Sequence, residues 1–215
     1  MYLCDQWQDY EVLDTGDGEK LERWGKIILR RPDPQVIWPK AKPELWNRAQ
    51  ATYSRAETGG GHWDFKEKLP ERWTINLNNL KFYVKPTGFK HTGLFPEQAA
   101  NWLWMQERIR NTASFGHQPK ILNLFAYTGT ASVYAASGGA KSTTTVDLSQ
   151  TYLDWAQRNM EANGFTGEAH EFVKSDVMRW ITETRHTNRR FELIFVDPPT
   201  FSNSKAMGKR TWDVQ

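Results

Sequence analysis

With a single cysteine, Cys4, the chain has no internal disulfide to staple it. Its five histidines show no metal-ligand spacing, so no metal site is expected. No apolar run approaches the roughly 20 residues of a membrane helix, which excludes a helical span. The opening MYLCDQWQDYE lacks the basic and apolar regions of a secretory leader, so a cytoplasmic location is expected. Net charge is also scarce. Lys and Arg number 28 against 25 Asp and Glu, leaving +3, which is compatible with an RNA partner without demanding one. Hydrophobic residues at 39% and charged residues at 25% argue against long disorder. Tryptophan, by contrast, is plentiful. Most of the 11 are expected to pack internally, leaving a few to stack on bases.

Residues 1–95 read as a small, antiparallel, β-rich subdomain. Tyr10 to Leu13 and Lys26 to Arg30 are strand-like, separated by a turn at 14–18 and a charged stretch from Glu19 to Arg23. Residues 38–55 are expected to be irregular with some helix, and Gly59 to Gly61 to form a turn. Trp73 to Asn76 and Leu80 to Lys85 alternate as two further strands. The basic residues Lys26, Arg30, Arg31, Lys40 and Lys42 could touch phosphates. Acids nearby (Glu19, Glu22, Asp33, Glu44) favour a solvated, neutralised face.

Residues 96–215 change to an α/β pattern. A helix over 96–110 carries Trp102, Met105 and Ile109 on one face. The apolar run 121–127 predicts a buried strand that breaks at Thr128-Gly129-Thr130 into a helix closed by Gly138-Gly139. A strand at 142–147 ends in Asp147, and Ser149 then caps a helix with Leu153, Ala156 and Met160 on its buried face. His170 to Lys174 leads to Asp176 and a helix from Val177. Phe191 to Val196 leads to Asp197-Pro198-Pro199. Strands alternating with helices of this length predict a parallel sheet. Its strand ends bring polar residues to one edge, where open α/β sheets bind ligands.

A carboxylate at Asp147 suits a ribose diol. A dinucleotide would call for G-x-G-x-x-G at the first turn, and only Gly129 is present there. That favours S-adenosylmethionine, which carries no phosphate. Asp197-Pro198-Pro199 has no evident use in a nicotinamide enzyme. Two prolines hold that loop extended and carry Asp197 to where a substrate would meet the cofactor.

Asn123 to Ser132, Thr145 to Ser149 and Asp197 to Lys205 (DPPTFSNSK) resemble a family of class I S-adenosylmethionine-dependent methyltransferases acting on large-subunit ribosomal RNA. The likeness is greatest to the 23S rRNA guanine-N7 methyltransferase module, and a 5-methylcytosine branch is related. Asp14 to Arg23 and Arg31 to Gln35 look like the N-terminal signature of bacterial members. The resemblance implies a Rossmann-like sheet with Phe125, Ala126, Tyr127, Thr128 and Gly129 beside the methionine moiety. Asn123 stands where many relatives have an acid. Asp147 and Leu148 would hold ribose and adenine, and Asp176 and Val177 would flank the adenine. Thr92 to Phe95 resembles a segment that closes over the cofactor, which adds Phe95 to the cofactor contacts. Asp197, Pro198 and Pro199 would be catalytic, with Thr200 and Phe201 at the substrate. A complete fold of this class continues past a fourth strand, so the sequence is expected to be a fragment carrying about half the sheet. The rival reading is an RNA-binding or ribosome-assembly module with a vestigial cofactor site.

Overall fold

The protein is described by a computed structural model over residues 5–56 and 60–199. Two compact units divide between Glu97 and Gln98. No helix among the described residues is long and apolar enough to cross a membrane.

The first unit is built on a five-stranded sheet whose order follows the sequence. Its strands are β1 (Tyr10–Gly16), β2 (Glu19–Trp24), β3 (Ile27–Pro32), β4 (Ala51–Arg55) and β5 (Gly61–Phe65). The pairings are antiparallel except between β3 and β4, which run parallel, Leu29 against Ala51. The crossover between these two carries a 3-10 helix, Pro43–Arg48, whose Trp46 is buried with Leu21, Ile28 and Ala49. A separate hairpin pairs β6 (Trp73–Leu77) with β7 (Leu80–Val84).

The charged stretch from Glu19 is therefore a strand, contrary to the sequence expectation. Asp17 and Gly18 adopt positive φ (53° and 75°), the two-residue turn that matches strand twist and folds β2 back on β1. One charge of β2, Glu22, is buried because it is paired. Glu22, fully buried, accepts from Arg31 Nε (2.6 Å), Arg31 Nη2 (2.8 Å) and the Tyr10 hydroxyl (2.7 Å). Burial alone would raise its carboxyl pKa, but the charge and hydrogen bonds of Arg31 hold it below the usual value. Arg30 pairs with Glu19, and Lys40 with Asp17 and Glu19. Acids thus neutralise Arg30, Arg31 and Lys40 as expected, but the Arg31–Glu22 pair lies in the core and is not solvated.

The second unit holds a parallel sheet. Its strands β8 (Lys120–Leu124), β9 (Ser142–Asp147), β10 (His170–Lys174) and β11 (Leu193–Val196) lie in the order β10-β9-β8-β11. Between them run α2 (Thr130–Ser137), α3 (Gln150–Glu161) and α4 (Val177–Thr184), preceded by α1 (Ala99–Ser114). Helix α1 extends four residues past the expected end. It buries Trp102, Met105 and Ile109 on one face, and Trp102 stacks on Tyr134 of α2 (5.6 Å). Expectations for β9, β10 and the start of α4 hold to the residue. Strand β8 is shorter than expected, for a reason that lies in the site. Of the ten described tryptophans, Trp38 and Trp104 are exposed, so most do pack.

Candidate functional site

Parallel strands bring their carboxyl ends to one edge. The register pairs Lys174 with Asp147 and Leu124 with both Val146 and Val196. Asp176, Asp147, the 125–129 turn and Asp197 consequently follow one another along that edge. Strands β8, β9 and β10 progress in one direction, whereas β11 returns to the far side of β8. Crossovers therefore diverge beside β8, and the edge opens there into the crevice where sheets of this kind take ligands.

The expected strand over 121–127 ends at Leu124 because Phe125, Tyr127 and Gly129 take left-handed backbone angles (φ 54°, 50° and 72°). For two aromatic residues that conformation costs on the order of 1–3 kcal/mol each, and tertiary bonds impose it. Ala126 N donates to Val146 O (3.1 Å), Tyr127 N to Asp147 Oδ2 (2.8 Å) and Gly129 N to Ala126 O (2.8 Å). The buried Asn159 of α3 donates to Thr128 O (2.9 Å). Gly129 is required sterically as well, since a Cβ there would lie 2.5 Å from Ala156 Cβ.

Asp147 is the hub. Its Oδ2 accepts from Tyr127 N and its Oδ1 from Ser149 N (2.8 Å), and each oxygen keeps acceptor capacity for a further donor. Burial pushes its carboxyl pKa up, partly offset by the amides of Ser149, Tyr127 and Leu148. Beside it, Leu148 is 55% exposed, an apolar surface next to a carboxylate. Ser149 caps α3 through Tyr152 N (3.4 Å), as expected.

Asp176 also serves as a helix cap, accepting from Arg179 N (3.0 Å) with one oxygen. Val177 is buried in a cluster with Leu122, Leu124, Val146 and Trp180, and Phe125 packs against it. Asn123 is 2% exposed. Its amide donates to Ser132 Oγ (3.0 Å), which bonds in turn to Thr145 Oγ1 (2.7 Å), so it braces the turn from within the core. Thr128, Ala126 and Gly129 are buried, and Tyr127 is half-buried. Asp197 and Pro199 are exposed and Pro198 is half-buried at the end of β11. Thr200 and Phe201 lie outside the described residues. Phe95 belongs to the first unit, its ring edge-on to His91 at 5.0 Å.

Tyr152 and Asn159 were not foreseen. Tyr152 packs edge-on against Tyr127 (4.6 Å), and the Asp147 carboxylate helps raise its phenol pKa after burial does so. The available signal was Tyr152, Ala156 and Asn159 at helical spacing on the face of α3 toward the turn. Among the described residues, no three His, Cys, Asp or Glu side chains converge to hold a metal.

A nucleoside fits this donor set. The half-buried carboxylate has acceptor capacity for hydroxyls, the adjoining leucine offers an apolar face, and the second acid at Asp176 would repel a phosphate.

Comparison with known proteins gives the same answer. Ribosomal RNA large subunit methyltransferase K/L of Magnetococcus marinus is 47% identical over 187 residues, covering 86% of this chain and 24% of that protein. The chain thus spans about a quarter of the length of that curated relative. The SAM-dependent methyltransferase of Agrobacterium tumefaciens superimposes with a TM-score of 0.86 at 32% identity, over 96% of this chain and 64% of that one. SMU.776, solved with S-adenosylhomocysteine, shares the fold at 22% identity (TM-score 0.72, 94% of this chain and 54% of that one). The family described as S-adenosylmethionine-dependent methyltransferase matches residues 49–212, well over half of the sequence. The chain belongs to that family.

Proposed function

We propose that the chain transfers a methyl group from S-adenosylmethionine to a base of large-subunit ribosomal RNA, as part of a cytoplasmic enzyme. The observation that carries this reading is the Asp147 carboxylate, half-buried at the switch point and gripping the strained 125–129 turn by a backbone N–H. The relative's name, a large-subunit rRNA methyltransferase, supports the choice of substrate.

In this reading Asp147 accepts the ribose hydroxyls and Leu148 covers one adenine face. Asp176 and Val177 bound the adenine from the neighbouring strand end. The turn from Phe125 to Gly129, braced by Asn123 and Asn159, shapes the place for the methionine end. When bound, S-adenosylmethionine supplies a methyl already activated by its sulfonium, so the residues around it have positioning as their main task. Asp197, Pro198 and Pro199 line the base pocket, and Thr200 and Phe201, which lie outside the described residues, are assigned to the substrate by the resemblance alone. A guanine N7 presents a free lone pair and needs orientation alone. An exocyclic amine would give up a proton and would need an acceptor such as Asp197 or a carbonyl of the proline loop. A base within structured RNA has to be extruded to arrive there. Residues 1–95 act as a separate β-rich subdomain ahead of the methyltransferase domain at 96–215.

The test is calorimetric titration with S-adenosylmethionine and, separately, NAD, on the chain and on Asp147→Asn and Asp147→Ala. Donor binding that collapses in both variants, with no NAD signal, supports the reading. Salt-sensitive RNA binding without donor binding would replace it with the assembly-module reading.

A further inference from the structure

The first unit carries a second surface with chemistry of its own. Along β5, Trp63 and Phe65 point to one face, while His62 and Asp64 point to the other and contact each other at 3.3 Å. Trp63 packs edge-on to the buried Tyr53 (5.4 Å) and lies nearly parallel to Phe65 (6.4 Å, 27°). Its indole N–H donates to the carbonyls of Thr87 (2.9 Å) and Phe89 (3.1 Å), which pins the 87–91 turn beside the strand. The turn is closed by Thr87 N and Thr87 Oγ1 on His91 O, and Arg31 Nη1 ties it to the core through Lys90 O (2.9 Å). Phe65 and Phe89 emerge from this rigid frame 53% and 59% exposed. Two aromatic rings exposed on residues that both adjoin Trp63 are costly unless something covers them.

Charge indicates what covers them. Lys90 sits in a positive surround. After burial, the charges of Arg55, Lys20 and Arg31 depress its ammonium pKa, with only Asp33 opposing. Lys20 is within 3.6 Å of Glu22 and 3.7 Å of Asp33, and Arg31 is consumed by Glu22. Neither Arg55 nor Lys90 has an acid partner among the described residues, so these two are available to an anion. Rings for flat apolar groups and cations for a polyanion are the two components of a single-strand binding surface.

We propose that this face of the first unit binds single-stranded RNA, bases stacking on Phe65 and Phe89 and phosphates meeting Arg55 and Lys90. The ligand choice rests on the RNA substrate proposed above, whereas the surface involves none of the residues assigned to the methyl donor. The surface would contribute RNA affinity with little sequence preference.

The test is fluorescence anisotropy of labelled oligouridylate with the chain, across about 0.05 to 0.2 M salt, with donor titration run on each variant. Phe65→Ala and Phe89→Ala should each weaken binding roughly fivefold or more. Phe89→Trp should restore it, and Lys90→Glu should lower the salt slope by about one. Binding equal to the unaltered chain in both alanine variants overturns the proposal. So does equal competition by duplex RNA or heparin, which would mean a polyanion contact without stacking. Retained donor binding with lost oligonucleotide binding in the variants assigns the effect to this face. The converse, oligonucleotide binding by a chain that takes no donor, would remove the methyltransferase reading and leave this one standing.

Discussion

Each unit places a carboxylate out of bulk water, and the two are treated differently. Glu22 has a full countercharge in Arg31, a phenol hydroxyl and no exposed surface. Asp147 is only half-buried and is held by the backbone amides of Tyr127 and Ser149. The pKa directions follow, below the usual value for Glu22 and above it for Asp147. A carboxylate that meets its countercharge inside the protein has finished its chemistry and serves the fold. One steadied by neutral dipoles keeps lone pairs for a visitor. Burial alone does not separate Glu22 from Asp147, the acid proposed to bind; the nature of their partners does.

The sharpest break in that contrast is Glu22→Ala. It strands Arg31 without its carboxylate and should cost about 3–5 kcal/mol, seen in urea unfolding as early loss of the first unit's transition. Asp147→Ala should leave most of the stability and lose the donor, so equal destabilisation by the two would erase the distinction. Next is Asp197→Ala, expected to lower methyl transfer on the order of 100-fold while donor affinity stays put; an unchanged turnover number would take Asp197 out of the mechanism. Gly129→Ala must push α3 away and strain the turn, at about 1–3 kcal/mol, with a thermal melt and a donor titration as the readouts.

The mildest probe is pH. Burial first, then Arg31, Lys90 and Lys20, push the His91 imidazole down to about 4 from an ordinary 6.5. Across that window the unfolded chain takes up a proton that the folded unit refuses, so the first unit loses stability as pH falls. Asp147 has the opposite sign. Its raised carboxyl gains its proton more readily in the folded state, so acidification through this group favours folding, yet it removes a hydroxyl acceptor. Donor affinity should therefore start to fall at a pH above the usual aspartate range. Melts and titrations on one pH series would show both trends, and flat donor affinity down to the usual aspartate range would remove Asp147 from ribose binding.

The α/β half of the chain was legible because its code is local. Apolar runs, the Ser149 cap and acids at strand ends fixed β9, β10 and α4. The end of β8 was not legible. Phe125 and Tyr127 are strand-forming residues bent into left-handed angles by bonds from Val146 and Asp147, distant in sequence. Strand β2 escaped notice because Glu22 and Arg31 look like surface residues until they are paired. Strand β5 follows directly on a run of glycines, and its alternation of apolar and polar residues is only two apolar positions long, Trp63 and Phe65. At the site, the acids announced themselves through their places after strands. Asn159 and Tyr152 carry no such mark, and their task appears only when α3 is laid against the turn.

The near-contact of position 129 with Ala156 has a consequence for how such a chain can diverge. The height of the turn above the sheet is indexed by α3, as a drawer is stopped by its frame, and less by the identity of residues 125–128. Loop side chains can then be exchanged to retune the pocket without moving its floor. A side chain can be added at position 129 only if position 156 gives up its own, whereas Ala156 can shrink alone. Selection acting on the pocket would leave its clearest trace at these two small residues, one in the turn and one in the helix beneath it.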